Sequence, residues 1–281
     1  MDIENIPDEV INVLKRILNR GGEAYIVGGA LRDHILGKAI YDWDIATSLL
    51  PEEIDETFSD VHKVTTGRKF GTITVFMGDL PIEITTYRIE DDYIDFRHPS
   101  KVKFTYDIYE DLKRRDFTMN ALAFNPLLER GQFIDPYDGH SDIKRGIIRA
   151  VGDPGERFSE DPLRMMRAIR FMAELGFEIE EGTLSSIAQN SHLIEKISAE
   201  RIRDELNKTL LAQFVKESIV FLYSSGLQGH IVPESIQYLS RSTIESIASS
   251  LSLCSRDLIE RLCAFFIWTV EIEDRRATLN K

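Results

Sequence analysis

The chain has 281 residues, of which 43% are hydrophobic and 29% charged, and a formal net charge of −13. This composition is close to that of globular domains and excludes disordered and fibrous proteins. The acidic balance disfavours a protein that coats nucleic acid over its whole surface, because phosphate contacts are normally made by a surplus of Lys and Arg. Any RNA binding is therefore expected to be local.

The cysteines and the N-terminal residues indicate the cellular compartment of the protein. Cys254 and Cys263 are too few for a disulfide framework and have no zinc-ligand companions, so we expect two buried thiols in a reducing compartment. The sequence begins without a basic leader or an apolar signal core, and no later run approaches the length of a membrane span. These features predict a cytoplasmic protein with no membrane partner.

The N-terminal part of the chain has an α/β pattern. Hydrophobic periodicity predicts, in order, a helix, a buried strand, a second helix and three further strands, over residues 8–20, 24–27, 30–36, 42–46, 72–77 and 81–87. A glycine pair stands directly before the second helix, and Gly78-Asp79 forms the turn between the last two strands. This region is predicted to be one α/β domain.

The rest of the chain has a different pattern. Residues 88–107 are polar and charged, and we predict a mobile loop there. After residue 139 the pattern is helical to the C-terminus, without a strand-like run as strong as those of the N-terminal part, which places a domain boundary near residue 140. Within the helical part, four apolar residues are predicted to be core: Leu206, Leu210, Leu211 and Phe214.

Two acidic residues at alternate positions of a predicted strand are the strongest local signal. Side chains two residues apart point to the same side of a strand, so Asp42 and Asp44 are aimed at a common point. Mg²⁺ prefers oxygen ligands from one or two carboxylates and completes its shell with water and substrate phosphates. The pair predicts a magnesium site for nucleotide chemistry, with a solvated strand end as the alternative.

The glycine turn upstream suits a phosphate group. Gly28 and Gly29 allow backbone amides to approach a triphosphate at the positive end of the helix, although a purely structural turn is the alternative. Arg32 can add a charge-assisted contact to a phosphate oxygen, whereas Asp33 is expected to cap or pair locally. Glu83 lies between two apolar strand residues, as either a third catalytic carboxylate or an exposed strand position.

Three long motifs in a fixed order resemble those of class II, bacterial-type CCA-adding enzymes, members of the tRNA nucleotidyltransferase and poly(A) polymerase family. Motif A is VGGALRD, LG and DWDIATS within residues 27–48, motif B is DLKRRDFTMNA at 111–121, and motif D is EDPLRMMRAIRF at 160–171. The resemblance covers about residues 10–210. It departs at Leu31, where Val is usual, and at Trp43, where a smaller apolar residue is common.

The resemblance implies a fold and a domain order. We expect an α/β N-terminal nucleotidyltransferase head of the DNA polymerase beta type, with a mixed sheet and helices, followed by an all-α neck and body. The corresponding domains are residues 1–140, 141–205 and 206–281. Family members usually continue into a tail that grips the tRNA elbow, so tRNA binding by this chain is expected to be weak relative to nucleotide binding.

The resemblance also implies nucleotide-binding residues outside motif A. Arg115 of motif B is implied in nucleotide binding, whereas Asp116 and Asn120 either contact the ribose or cap the following helix. Arg167 and Arg170 of motif D belong by resemblance to the nucleotide pocket. Because residues at three-residue steps shift progressively around a helix, we expect the two arginines to have different roles, such as phosphate contact and packing.

Asp161 and Arg164 are the predicted base-reading pair. Three residues apart on a helix, they would lie side by side and address the edge of a single base. A carboxylate and a guanidinium match the amino donor and ring-nitrogen acceptor that cytosine and adenine share. Uracil and guanine would leave buried polar groups unpaired, at about 1 to 3 kcal/mol each. The alternative is a surface ion pair worth roughly a few tenths of a kcal/mol.

Together these features predict template-independent addition of CMP and AMP, from CTP and ATP, to the 3′ end of tRNA, with two Mg²⁺ ions held by Asp42 and Asp44. An enzyme that adds only A is the first alternative, because residues 92–99 resemble the loop needed for A addition, which CC-only enzymes tend to lack. Poly(A) polymerase is less favoured, since residues 67–75 resemble the tRNA enzyme and no strongly basic C-terminal tail follows. A catalytically silent RNA-binding protein is disfavoured, because it would not need Asp42 and Asp44 together with the Asp161 and Arg164 pair.

Overall fold

The computed structural model describes residues 6–40, 42–90, 102–128, 131–232 and 239–266. The strands are β1 Ala24–Val27, β2 Trp43–Thr47, β3 Lys63–Val64, β4 Thr72–Met77, β5 Leu80–Thr86, β6 Arg88–Glu90, β7 Val102–Phe104, β8 Ala123–Asn125, β9 Gln132–Ile134, β10 Ile147–Ile148 and β11 Glu178–Ile179. The α-helices are α1 Asp8–Asn19, α2 Gly28–Ile35, α3 Pro51–Thr57, α4 Ile108–Lys113, α5 Gly139–Arg145, α6 Pro154–Glu160, α7 Leu163–Leu175, α8 Glu181–Asn190, α9 Ala199–Leu211, α10 Val215–Ser224, α11 Gln228–Ile231 and α12 Arg241–Leu253.

The described residues separate into two compact units. The first contains residues 6–90 and 102–145 with the gaps given above, together with 149–152, and the second contains 146–148 and the described residues from 153 onward. The division into three domains at residues 140 and 205 stays a prediction. None of the helices in the described part of the chain has the length and apolar character that a membrane crossing requires.

A seven-stranded mixed sheet forms the centre of the first unit. Its strand order is β3-β4-β5-β2-β1-β8-β9, in which β2 and β5 run parallel and the other neighbours run antiparallel. Asp44 lies opposite Glu83 of β5 on one side and opposite Val27 of β1 on the other. Strand β1 ends at Val27, directly before the glycine turn. The sheet register therefore places this turn close to Asp44 of β2 and Glu83 of β5.

The two faces of this sheet are covered differently. Fully buried isoleucines of the central strands form one face, on the side of α1 and α3: Ile26, Ile45, Ile73, Ile82 and Ile84. Asp44 and Glu83 are one residue out of phase with these isoleucines, so they point to the opposite face. There Ile108 and Leu112 of α4 pack against β1, β2 and β8, and each such buried side chain contributes about 1.5 to 3 kcal/mol.

The second unit is mainly helical. Helix α7 contacts α9 and α10, and α10 also contacts α12. Two short strands interrupt the predicted helical pattern after residue 139: β10 and β11 pair in parallel, and the N–H of Glu178 donates to the carbonyl of Gly146 at 2.8 Å. Each of these strands has two residues, which is too short to produce a detectable alternation in the sequence.

Three other local predictions are corrected by the structure. The ends of the predicted loop 88–107 form the antiparallel pair β6–β7, with Phe104 packed over Gly71, while residues 91–101 lie outside the described residues. Phe214 is 36% exposed because its ring lies across Gly176 at the surface, whereas Leu206 and Leu210 are buried as predicted and Leu211 is half-buried. Neither thiol is fully buried, since Cys254 is half-buried and Cys263 exposed.

Candidate active site

The two motif A aspartates lie at the start of β2. The strand begins at Trp43, so Asp42 stands just before it, and the predicted strand 42–46 is shifted by one residue. Asp42 is exposed and Asp44 is partly buried. Trp43 is buried between them, 3% exposed, because it faces the isoleucine side of the sheet. The Asp42 carboxylate is close enough to Asp44 to help raise the pKa of Asp44, and a common metal site for the two aspartates stays a prediction.

The charge of Asp44 is poorly compensated within the described part of the chain. Burial raises the pKa of Asp44 to about 6, the nearby Arg115 opposes this increase, and the carboxylates of Glu83 and Asp42 add to it. No hydrogen bond or ion pair with a described residue holds the Asp44 side chain. A buried carboxylate in this state is costly until a cation arrives, so its chemistry fits a metal ligand.

The glycine turn lies directly beside Asp44. Helix α2 begins at Gly28 itself, two residues before the predicted start, and Gly28 has a φ of 68° that disfavours other residues. A Cβ placed on Gly28 would lie 3.2 Å from Nη1 of Arg115 and 3.3 Å from Oδ2 of Asp44. Among the residues that the structure describes, no side chain caps this helix start, so its first backbone amides are suited to a phosphate group.

Arg32, Asn120 and Asp116 form one hydrogen-bonded chain behind the turn. The guanidinium of Arg32 pairs with Asp33 at 2.9 Å and donates to Oδ1 of Asn120 at 3.0 Å. Nδ2 of Asn120 donates to Asp116 at 3.1 Å, and the same carboxylate oxygen accepts from the N–H of Phe117 at 2.8 Å. The local pairing expected of Asp33 is therefore present.

Arg115 is held by an aspartate that sequence reasoning missed. Asp111 is fully buried and accepts from Nη2 of Arg115 at 3.1 Å and from Nη2 of Arg114 at 2.8 Å. Burial opposes the charge of Asp111, but the two arginines outweigh it and hold the pKa of Asp111 below its ordinary value. Nε of Arg115 is buried without a hydrogen-bond partner among the described residues. The i,i+3 and i,i+4 spacing of the acid and the arginines was the available signal.

The prediction that Asp161 and Arg164 share a helix face is wrong. Helix α6 ends at Glu160, and Asp161 has an extended backbone, with φ −138° and ψ 97°, before α7 begins at Leu163. Pro162 explains the break, because proline disfavours the helical conformation of the residue before it. The Asp161 carboxylate accepts from the N–H of Leu163 at 3.1 Å and forms an ion pair with Arg201 at 2.9 Å.

Arg164 has a different set of partners. It is 7% exposed, donates to Glu160 at 2.6 Å and to the carbonyl of Arg157 at 3.1 Å. Asp161 and Arg164 are thus held by separate neighbours, and the surface ion pair between them that was the sequence alternative is not among their described contacts. Glu160 could have been found from its i,i+4 spacing to Arg164, whereas Arg201 is too distant in sequence to give a local signal.

Arg167 and Arg170 lie further along α7. Arg170 forms ion pairs with Glu205 of α9 at 2.7 Å and with Glu174 at 2.9 Å, and its guanidinium lies 4.2 Å from the ring centroid of Phe171. Arg167 approaches the same ring at 5.3 Å. Arg170 has the contacts of a packing residue, and the expectation that the two arginines do different work stays a prediction.

The donor set at β2 suits a metal bound by two carboxylates. Within the described ranges there is no group of three or more His, Cys, Asp or Glu side chains close enough to hold a metal ion. Glu83 is exposed, next to Asp44 in the register. The expectation that Asp42 and Asp44 hold a metal ion, with substrate phosphates and water completing its shell, stays a prediction.

Comparison with known proteins identifies the family. Residues 24–149 match the family described as poly A polymerase head domain, and residues 176–239 match the probable RNA and SrmB-binding site of polymerase A. The CCA-adding enzyme of Ligilactobacillus salivarius is 50% identical over 222 residues, which cover 78% of this chain and 54% of that enzyme. The crystal structure of the Bacillus stearothermophilus CCA-adding enzyme in complex with CTP is 32% identical, with a TM-score of 0.73, and covers 97% of this chain and 82% of that one.

The chain belongs to the CCA-adding enzyme family. A structure of a tRNA nucleotidyltransferase complexed with a primer tRNA and an incoming ATP analog is also similar, at 26% identity and a TM-score of 0.74, over 90% of this chain and 75% of that one. The chain spans about half the length of the CCA-adding enzyme from Ligilactobacillus salivarius.

Membership of the CCA-adding enzyme family confirms the predicted fold class, a nucleotidyltransferase head of the DNA polymerase beta type with a mixed sheet, followed by a mainly helical remainder. Enzymes of this family generally use a divalent metal ion. The raised pKa of Asp44 and the glycine turn beside it fit such an ion together with the phosphates of a nucleotide.

Proposed function

We propose that the chain transfers CMP and AMP, from CTP and ATP, to the 3′ end of tRNA in the cytoplasm. The observation that carries the proposal is the placement of Asp44, whose charge is poorly compensated, directly beside the Gly28 turn in the head of a CCA-adding family member. The CTP and primer tRNA complexes of related enzymes support the choice of substrates.

In the proposed reaction, the ribose 3′-hydroxyl of the tRNA end attacks the α-phosphorus of the nucleotide, and pyrophosphate leaves. Asp42 and Asp44 would hold Mg²⁺, with Glu83 as a third carboxylate beside them. The metal, when bound, neutralises charge on the phosphate oxygens and lowers the pKa of the attacking hydroxyl. The protein contributes mainly positioning and electrostatic stabilisation.

The triphosphate is assigned to the glycine turn and the cations around it. Amides of Gly28 and Gly29 would bind phosphate oxygens, and Arg115 would add its charge. Arg32 is already bonded to Asp33 and Asn120, so its proposed part is to fix the turn from behind. Asp116 and Asn120 are proposed to hold this arrangement and to meet the ribose.

The choice between bases is assigned to the second unit. The Asp161 carboxylate would accept a hydrogen bond from the amino group of cytosine or adenine, and the Arg164 guanidinium would donate one to the ring nitrogen of the same base. Because Arg201 and Glu160 already bond these two side chains, each is held in place before a base arrives. Arg167 and Arg170 complete the proposed nucleotide-binding set, the latter through its packing of α7 against α9.

The test is incorporation of radiolabelled CTP and ATP into tRNA transcripts that end before CCA, after CC, or at the mature terminus. We expect CTP and then ATP addition to the first transcript. Asp44→Asn should lower the rate by about 10³-fold or more, since it removes a metal ligand. Asp79→Asn, at the exposed turn between β4 and β5, is the matched control and should match the unsubstituted chain.

The same assay separates the alternatives. ATP addition only to the CC-ended transcript would identify an enzyme that adds A alone, and ATP tails on unrelated RNA would identify a poly(A) polymerase. Full activity of Asp44→Asn would contradict the proposed metal site. Nucleotide binding without incorporation into any transcript would contradict the proposed reaction and favour a silent RNA-binding protein.

A further inference from the structure

The two oxygens of the buried Asp111 carboxylate have different partners. Oδ1 accepts from Nε and Nη2 of Arg114, at 3.0 and 2.8 Å, and from the backbone N–H of Arg88 at 3.3 Å. Oδ2 accepts from Nη2 of Arg115 at 3.1 Å. One oxygen therefore anchors Arg114 and the start of β6, and the other oxygen holds Arg115.

Arg115 lies near a second carboxylate that it does not bond. Its Nη1 and the Oδ2 of Asp44 are 3.2 and 3.3 Å from the same point, the position that a Cβ on Gly28 would occupy. Nη1 also donates to the carbonyl of Asn120, at 3.4 Å. Arg115 is therefore attracted by two carboxylates, Asp44 and Asp111, and of these two it bonds Asp111.

We propose that Asp111 is a positioning residue that holds Arg115 at the glycine turn and away from Asp44, which keeps Asp44 open to a metal-bound nucleotide. The inference rests on the proposed function. Without the Asp111 charge, Arg115 would turn to Asp44 and form an ion pair there. That pair would remove a metal ligand and a phosphate-binding cation together, although Asp111 itself touches neither substrate nor metal.

The test measures binding of CTP in the presence of Mg²⁺ by titration calorimetry, with four forms of the full chain: unsubstituted, Asp111→Asn, Arg115→Gln and the double variant. Asp111→Asn keeps the size of the side chain and an acceptor for the Arg88 amide. We expect it to weaken binding about 10- to 100-fold, the range seen when a supporting residue behind a metal or ligand site is lost. In the Arg115→Gln background the same substitution should change affinity less than about twofold.

A merely structural role for Asp111 gives a different result. Arg115→Gln leaves Arg114 and the Arg88 amide bonded to Asp111, so a structural loss would persist in that background at the same size. Asp142→Asn is the matched control, because Asp142 is also buried in the first unit and bonded by two arginines, Arg145 and Arg149. It should lower the thermal midpoint as Asp111→Asn does, but leave CTP affinity within about twofold of the unsubstituted chain.

Two results would overturn the inference: equal weakening by Asp111→Asn in both backgrounds, or weakening by Asp142→Asn as large as that by Asp111→Asn. If Asp111→Asn does not fold, Asp111→Glu takes its place in the same cycle, with an expected loss of about threefold or more that must vanish beside Arg115→Gln. Failure of the proposed function looks different, because Asp44→Asn would then bind CTP with Mg²⁺ as tightly as the unsubstituted chain.

Discussion

The two units differ in how the charge of their predicted site aspartates is compensated. In the second unit three acids in or near motif D each have an arginine partner: Asp161 with Arg201, Glu160 with Arg164 and Glu205 with Arg170. In the first unit, burial raises the pKa of Asp44 to about 6 and no described residue bonds its carboxylate. Compensated charge holds elements together, whereas uncompensated charge marks a place for a ligand.

The first unit contains the same contrast at short range. Burial opposes the charge of Asp111, which is fully buried, and of Asp44, which is partly buried. Two arginines nevertheless lower the pKa of Asp111, while Asp44 has the charge of Arg115 nearby without a bond to it. Burial alone therefore does not distinguish a structural aspartate from a functional one. The partners do, and they explain why one carboxylate contributes to stability and the other costs it.

The largest expected loss of stability comes from breaking a compensated ion pair of the second unit. Glu205 is 5% exposed and bonds Arg170 at 2.7 Å, so Glu205→Ala would leave the half-buried Arg170 with less compensation. We expect the free energy of unfolding to fall by about 3 kcal/mol. Urea denaturation followed by circular dichroism measures it. Glu200→Ala, an exposed position on the same helix, should change it by less than about 0.5 kcal/mol, and equal losses would break the comparison.

A smaller effect is expected at the glycine turn beside the uncompensated Asp44. Gly28→Ala would place a methyl group 3.2 Å from Arg115 and 3.3 Å from Asp44, whereas Gly78→Ala meets nothing within 4 Å. Both glycines have a similar positive φ, so each variant should lose roughly 1 kcal/mol of stability from backbone strain. Only Gly28→Ala should lower CTP incorporation, by about tenfold or more. Equal activity of the two variants would show that the turn does not approach the nucleotide.

The local parts of the site could be predicted from sequence because short-range geometry determines them. The alternation of Asp42 and Asp44 on β2, and the glycine turn before α2, follow from strand periodicity and from the conformational freedom of glycine. The seven-stranded sheet required the family resemblance, because its order joins strands that are distant in the chain.

The rest of the site depends on tertiary contacts or on a signal that was passed over. Pro162 stood in the sequence as a mark against a helix through Asp161, yet the spacing to Arg164 was interpreted as helical. Arg201, which bonds Asp161, is 40 residues away, and no periodicity links the two. Asp111 could be placed by its spacing to Arg114 and Arg115, but its full burial depends on how α4 packs on the sheet.

We infer that the charge of Asp44 destabilises the protein until a ligand binds. The pH dependence of the free energy of unfolding tests this inference. The pKa of Asp44 is raised to about 6 in the folded chain. Its contribution to stability is therefore fully present below the unfolded value near pH 4 and is lost as the pH rises through 6.

The measurement is the free energy of unfolding without metal at pH 4 and pH 7, for the unsubstituted chain and Asp44→Asn. We predict that the unsubstituted chain loses about 2 kcal/mol relative to Asp44→Asn between these pH values, a figure reduced for the partial exposure of the side chain. For Asp111→Asn the sign is opposite and the pH range is lower, because the pKa of Asp111 is lowered and its contribution to stability is lost only as the pH falls below about 4. A difference between the unsubstituted chain and Asp44→Asn that is constant with pH, or a gain by the unsubstituted chain, would contradict the account.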